Sequence, residues 1–299
     1  MARDNRLSRI EQLLNMAMNT SSTSRAVSIA RQILEISPDN ADALIIIADR
    51  TENQQERISL LKRAINALDN DRDYSCEDRE MLFLALNERL AYTYFADNKF
   101  DEALSYCEAS LKIIAVLEDD DVLDDEVDMK SLYYRILIER KEWQKILAET
   151  MKDGNHYLAW AYSRLVAAWM TAPGRSMAVC ANMFWDALML DTDVPFYMLG
   201  YLEEPDDNAD PQELDSFDFA LMYYDVLSVS EDFSNWFTRG AILFGLLSNR
   251  FDGREREYLL DVLDTLGGYE EYERMSSIIV EGDDMAVIEL LAAHKCLSE

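Results

Sequence analysis

The most constraining stretch of the sequence is residues 90–113, LAYTYFADNKFDEALSYCEASLKI, which has the pattern of two helices joined by a short turn. Leu90, Ala91 and Tyr94 lie at helical spacing, and the polar run 97–99 then interrupts them. A second apolar stripe follows, made of Phe100, Ala103, Leu104 and Leu111. A single pair of this kind cannot bury its apolar face, so it requires stacked neighbours. We therefore predict an all-α fold of packed helix pairs.

The same stretch resembles a tetratricopeptide repeat. In that family a small residue on each helix lets the two helices approach closely, and Ala91 and Ala103 hold these places here. Tyr94 and Phe100 would fill the space between the helices. The resemblance implies a superhelix, or solenoid, of antiparallel helix pairs that holds other proteins. It names no partner.

Related patterns occur on both sides of this unit. Residues 7–40 match the family period of about 34 residues and end near Pro38, which closes the unit as the family's proline does. A shorter unit starts at Ala41, where Asp39 or Asn40 can cap the new helix. A polar insertion, residues 69–78, precedes the clear third repeat. After Glu118 the two-helix rhythm continues without the small residues of the family.

These patterns predict four regions. We expect repeats of tetratricopeptide type in residues 1–117, an acidic loop in 118–128, degenerate helical repeats in 129–192 and an acidic helical region in 193–299. At the start of the last region, residues 193–200 carry a proline and a glycine that we expect to interrupt the helices.

Residues 185–237 resemble the tail of the bacterial relatives of the suppression-of-tumorigenicity (number seven) family. That tail has an alanine-leucine helix, a Val-Pro-x-Tyr-Leu-Leu-Gly run, and then a helix with Tyr-Ala and a tryptophan. The matching residues here are Ala187, Leu188, Val194, Pro195, Tyr197, Leu199, Gly200, Ala220, Tyr223 and Trp236. Met198 replaces the usual leucine, and the glycine-aspartate turn before the last helix is missing. The resemblance implies helical repeats rather than an enzyme.

The end of the chain predicts a helical cap. Residues 254–266 are amphipathic and stop at Gly267, which can adopt left-handed geometry. A helix over 269–280 follows, and a third begins near Asp283 and Asp284. Its apolar residues cover more than one face, so we expect it to be buried. It would pack on the preceding pair as the cap that a solenoid needs, or else on a second copy of the chain, forming a homodimer.

Charge is the second strong signal. The formal net charge is -30; residues 1–100 carry 13 basic and 16 acidic side chains, whereas residues 101–299 carry 15 and 42. Such a field repels phosphate backbones, so we expect no nucleic-acid binding. It attracts basic partners, although acidic surfaces also serve solubility alone. The densest run, residues 118–128, lacks the central glycine of a calcium loop, so we predict a loop and no metal site.

Sequence motifs for catalysis are missing. The cysteines at 76, 107, 180 and 296 have no paired spacing, which argues against disulfides and zinc. His156 and His294 stand without a motif, and no nucleophile elbow or phosphate loop occurs. We expect no cofactor and no enzyme activity. Charged residues interrupt every long apolar stretch and no secretory signal opens the chain, so we expect a cytoplasmic protein without membrane contact.

The tetratricopeptide resemblance also implies candidate partner-binding residues, because the first helix of each repeat lines the concave face in that family. They are Glu11, Asn15, Met18, Ile45, Asp49, Glu88, Tyr92 and Phe95. Chaperone-binding members hold a peptide carboxylate with a lysine and an asparagine, and Asp49 and Tyr92 stand at the asparagine place here. Since Asp49 would repel a carboxylate, we expect a peptide or helix with apolar and basic side chains. The alternative is that these positions are only solvated.

Together these observations favour a non-catalytic adaptor of tetratricopeptide type that binds another protein or peptide. The alternative is an acidic chaperone or nucleic-acid mimic that masks a basic partner with its C-terminal region. A third alternative is an enzyme built from carboxylates and tyrosines. Salt separates the first two, because masking by charge collapses in salt whereas groove recognition depends on Tyr92 and Phe95.

Overall fold

A computed structural model describes residues 2–70, 76–117, 123–152, 157–171, 177–206, 208–279 and 283–298. In these ranges the secondary structure is helical and contains no strand, which confirms the predicted all-α class. By its internal contacts the chain divides into two compact units, residues 1–136 and 137–299. His156 and residues 118–122 lie outside the described ranges.

In the first unit, helices that follow one another in sequence pack on each other. Its helices are α1 (Ala2–Met18), α2 (Thr23–Ile36), α3 (Ala41–Ala48), α4 (Gln54–Asn70), α5 (Cys76–Ala96) and α6 (Phe100–Ile114), followed by α7 (Leu123–Glu139), which continues into the second unit. From α1 to α6 each helix packs on the next, and α1 also packs on α3. As predicted, Asn40 caps α3, its side-chain oxygen accepting from the Ala43 N–H at 2.9 Å.

The α5–α6 pair has the local structure that the sequence predicts. Asn98 adopts a left-handed conformation with φ of 55°, and the Lys99 N–H donates to the Tyr94 carbonyl at 2.9 Å, so α5 ends at Ala96. Ala91 and Ala103 are both fully buried. Their lack of bulk lets the two helices approach closely.

Leucine in place of Ala91 or Ala103 is therefore expected to overpack this pair and to lower the free energy of unfolding by about 1–3 kcal/mol. Urea denaturation followed by circular dichroism measures the change. Ala96→Leu is the matched control, because Ala96 lies on α5 but is exposed. Equal stability of all three variants would mean that α5 and α6 do not pack through these two alanines.

Two expected loops are helical in part. Residues 123–128 of the expected acidic loop begin α7, since acidic residues are favoured in the first turn of a helix. Residues 194–199 form a short helix instead of an interruption: Pro195 lies in its first turn, where no N–H is needed, and Gly200 ends it with φ of 71°. The predicted polar insertion, residues 69–78, is also helical at both ends, because α4 extends to Asn70 and α5 begins at Cys76.

The second unit is built around one long buried helix. Its helices after α7 are α8 (Trp143–Thr150), α9 (Leu158–Thr171), α10 (Met177–Leu190), α11 (Val194–Leu199), α12 (Pro211–Tyr223), a 3-10 helix (Tyr224–Val229), α13 (Glu231–Leu247), α14 (Gly253–Thr265), α15 (Tyr269–Ser276) and α16 (Asp284–Ala293). Eleven residues of α13 are buried, and it packs on α11, α14, α15, α16 and the 3-10 helix.

The last helix is buried along one side only, through Val287, Ile288 and Leu291, whereas more than one buried face was expected, and its main neighbours also differ from those predicted. α16 packs mainly on α10 and α13 rather than on the preceding pair α14 and α15. The segment after α16 makes the contact with α15, where the Leu297 N–H donates to Glu271 at 3.1 Å. The sequence could not show this, because α10 lies about a hundred residues earlier. The predicted helix ends at Gly267, with φ of 73°, and the predicted cap at Asp283 are confirmed.

Burial also determines the reactivity of Cys107, Cys180 and Cys296, which are free thiols. Burial raises the pKa of Cys107 and of Cys296 to about 12, with the carboxylates near each thiol adding to the shift. At pH 8 the thiolate fraction of these two is therefore on the order of 10⁻⁴, against roughly a quarter for a thiol with the ordinary pKa near 8.5.

We expect Cys107 and Cys296 to react with iodoacetamide at pH 8 far more slowly in the folded chain than in denaturant, because the thiolate is the nucleophile. Mass spectrometry of tryptic peptides gives the rate for each site. Free cysteine in the same reaction provides the reference rate. Labelling of Cys107 at the reference rate without denaturant would contradict its burial.

Candidate functional site

Three of the predicted partner-binding residues meet in one groove of the first unit. The groove has a volume of about 330 Å³ and is lined by Asp49, Arg57, Glu88, Arg89, Tyr92 and Thr93. We call it the α3–α5 groove. α5 supplies four of these residues because positions 88, 89, 92 and 93 recur at helical spacing along one side of the helix. Asp49 follows the end of α3, and Arg57 lies on α4.

An ion pair joins two walls of the α3–α5 groove. Arg89 Nε donates to Asp49 Oδ1 at 2.8 Å, and Arg89 Nη2 donates to Asp49 Oδ2 at 3.1 Å. This bidentate geometry is the strongest form of an arginine–carboxylate contact, although both side chains are about a third exposed. The charge on Asp49 is therefore balanced, so Asp49 does not act as the isolated repulsive charge that the sequence suggested.

Hydrogen bonds to the main chain hold the other wall. Arg57 donates to the Ala48 carbonyl at 3.2 Å and to the Thr51 carbonyl at 2.8 Å, which ties α4 to the segment after α3. Gln54 on α4 donates to the Thr93 carbonyl on α5 at 2.8 Å. These contacts cross-link three successive helices. The walls of the groove are thus positioned before any ligand binds.

One aromatic side chain lines the α3–α5 groove, and a second, which is not part of its lining, follows one turn further along α5. Tyr92 is exposed within the α3–α5 groove, with 37% of its surface accessible. Phe95, one turn further along α5, is half-buried; its ring lies 5.8 Å from that of Phe100, and the Arg135 guanidinium lies 5.6 Å from its centre. Rings held in this way present apolar surface with little loss of freedom on binding.

The remaining predicted residues lie elsewhere. Glu11, Asn15 and Met18 are exposed on α1 and do not line the α3–α5 groove. The expectation that Ile45 is exposed is wrong: it is only 9% exposed, because α3 packs on α2, on α4 and on α1 and all but one of its eight residues are buried. An apolar helix surrounded in this way has no free face.

Sequence reasoning missed Arg57, Arg89 and Thr93. Arg57 lies on the second helix of its pair, whereas the family resemblance directs attention to the first helices. The spacing of Arg89 and Thr93, one position after Glu88 and Tyr92, was the available signal for those two. Both i and i+1 rows of a helix can border a groove that runs along it.

The described part of the chain holds no group of three or more His, Cys, Asp or Glu side chains arranged to bind a metal ion. Among the described helices, none combines the length and the apolar character needed to cross a bilayer.

Comparison with known proteins gives no match. The chain matches no protein-family model, no curated protein and no solved structure.

Proposed function

We propose that the chain is a non-catalytic adaptor that binds a protein segment in the α3–α5 groove. The single observation that supports this most is the meeting of Asp49, Glu88 and Tyr92, three residues predicted from the sequence, in one groove with fixed walls. We further propose that α1 to α6 form a short superhelix of tetratricopeptide type. The serial packing of these helices and the buried Ala91 and Ala103 support that architecture.

The ligand we propose is a peptide or helix with apolar and basic side chains. Tyr92 and Phe95 offer apolar contact, with Tyr92 the more exposed of the two. The four charged residues of the groove, Asp49, Arg57, Glu88 and Arg89, sum to zero. Preference for a basic ligand therefore comes from the long-range field of the chain, whose net charge is -30, rather than from Asp49.

Peptide display against the full chain tests the proposal. We expect enriched peptides with at least one aromatic or aliphatic residue near a lysine or arginine. A counter-selection on Tyr92→Ala should remove most of them, whereas one on Met151→Ala should not, since Met151 is 81% exposed but belongs to the second unit. Failure to enrich any peptide, or enrichment that Tyr92→Ala leaves unchanged, would contradict groove binding.

The charge distribution favours a second candidate, in which the acidic C-terminal region masks a basic partner protein. The excess of acidic side chains falls after residue 100, with 42 acidic against 15 basic residues. Binding of this kind weakens steeply between 50 and 500 mM salt, because exposed charges are screened. It also survives Tyr92→Ala, so the same variant separates the two proposals.

A further inference from the structure

A small pocket in the second unit has walls and charges unlike those of the α3–α5 groove. Its volume is about 230 Å³, and its lining consists of Asp193, Phe196, Tyr197, Leu202, Glu213, Arg250 and Phe251. Drug-sized ligands occupy pockets of about 300–1,000 Å³, so this one suits a single side chain. We call it the α11–α12 pocket, after the helices that carry Phe196 and Glu213.

Aromatic and aliphatic side chains form the inner surface. Phe196 and Phe251 are buried and meet edge to face with their ring centres 5.3 Å apart, while Tyr197 and Leu202 are half-buried. Aromatic faces carry a negative partial charge and attract cations. The chain already uses this property beside the pocket, since the Arg250 guanidinium lies 5.3 Å from the centre of Phe196 and 5.4 Å from that of Phe244.

The charged groups of the pocket carry a net negative charge. Arg250 is hydrogen-bonded to two carboxylates, Asp193 and Asp284, which outweigh its single positive charge. Although burial lowers the pKa of Arg250, these two hydrogen bonds raise it above its ordinary value, so the guanidinium stays charged and bound to its partners. Glu213 adds a further carboxylate, which is exposed.

The hydroxyl of Tyr197 is also surrounded by carboxylates. It donates to Glu213 Oε1 at 3.3 Å, a long contact that a stronger donor can replace. Burial, Glu213, Asp193 and Asp191 together raise the pKa of Tyr197 to about 12. Like any tyrosine, Tyr197 is neutral at physiological pH, and its oxygen can accept a hydrogen bond from a cation. The exposed acids Glu203 and Glu204 follow Leu202 directly along the chain.

We propose that the α11–α12 pocket binds the cationic end of a lysine or arginine side chain on a partner protein. The aliphatic stem lies against Leu202 and Phe251, and the ammonium or guanidinium group donates to Glu213 and to the Tyr197 oxygen. This site belongs to the second unit and is independent of the α3–α5 groove, so either site can fail without the other.

NMR titration of the isotope-labelled full chain tests the pocket. The probe is the capped pentapeptide Gly-Gly-Arg-Gly-Gly, its neutral counterpart carries citrulline, and n-butylguanidinium tests the free cation. We expect saturable shifts of the Leu202 and Phe251 amides with the arginine peptide, at roughly millimolar affinity for so few atoms. Citrulline should give no saturation. n-Butylguanidinium carries the same stem and the same cationic head, so it should bind about as well as the arginine peptide, and its failure to bind would overturn the proposed contacts.

A matched pair of variants on α12 identifies the carboxylate. Glu213→Gln should weaken the arginine peptide about fivefold, the effect of losing one partly exposed ion pair, and Asp218→Asn should leave it unchanged. Both residues are exposed on the same helix, so the fold is preserved in each, which circular dichroism checks. The proposal would be overturned if the two variants bound the peptide equally well. It would also be overturned if the arginine and citrulline peptides bound equally well, or if the shifts spread over the acidic surface.

Discussion

A chain that lacks residues 284–299 is expected to lose the cooperative folding of its second unit. The deleted segment contributes Val287, Ile288, Leu291, Cys296 and Leu297 to the core, each 1% exposed or less. Each buried apolar side chain of this size contributes about 1.5–3 kcal/mol, so the sum is comparable with the whole stability of a domain, about 5–15 kcal/mol.

The deletion also removes hydrogen-bond, ion-pair and packing partners of residues that remain in the chain. Trp236 Nε1 donates to the Leu297 carbonyl at 3.2 Å in the interior, and that donor would lose its acceptor. Arg250 would lose Asp284, one of its two carboxylate partners. α10 and α13, on which α16 packs, would expose the apolar surface that it covers.

Calorimetry and binding of a hydrophobic dye measure the outcome. We expect loss of one unfolding transition and strong dye binding by the truncated chain. Met285→Ala is the control, since Met285 lies on α16 with 41% of its surface exposed, and it should behave as the wild type. A truncated chain with an unaltered melting curve would contradict the role of α16 in the core. The mass of the wild type in solution shows separately whether α16 also contacts a second copy.

Phe184→Ala is expected to cost about 3–5 kcal/mol of unfolding free energy, the second largest effect. Phe184 lies on α10 at 1% exposure, and its ring centre is 5.6 Å from that of Trp236 and 5.2 Å from that of Phe237. Gly240 faces the same ring: a Cβ there would come within 2.8 Å of it. A core packed this closely cannot collapse around the missing ring, so a cavity remains.

Urea denaturation of the wild type and of Phe184→Ala gives the difference in stability. Met189→Ala, on the same helix at 43% exposure, is the matched control and should cost little. A cost below about 1 kcal/mol for Phe184→Ala would mean that the aromatic cluster of α10 and α13 is loosely packed.

Local features of the fold were predictable from the sequence because they depend on short-range chemistry. The turn at Asn98, the cap at Asn40 and the helix end at Gly267 all follow from residues whose side chains or backbone preferences act within one turn. Pro195 misled the prediction, because a proline after a polar residue marks a break and the start of a helix equally well.

Long-range features were not predictable in the same way. The packing of α16 on α10 and the pairing of Arg89 with Asp49 join residues far apart in sequence, and no periodic pattern encodes such partners. Half of the lining of the candidate groove was predicted, namely Asp49, Glu88 and Tyr92. The rule that first helices line the concave face also selected Ile45, which is buried because three neighbouring helices pack on α3. Only the assembled helices reveal which faces stay open.

The binding constant of one display-selected peptide for the wild type and for Tyr92→Ala tests the proposed function most directly. Calorimetric titration at 150 mM salt is the measurement, with Met151→Ala as the control. We predict that Tyr92→Ala weakens binding about tenfold or more, as expected when an aromatic anchor worth 1.4 kcal/mol or more is lost, and that Met151→Ala binds as the wild type does. Equal affinity of the peptide for wild type and Tyr92→Ala would contradict the α3–α5 groove as the binding site.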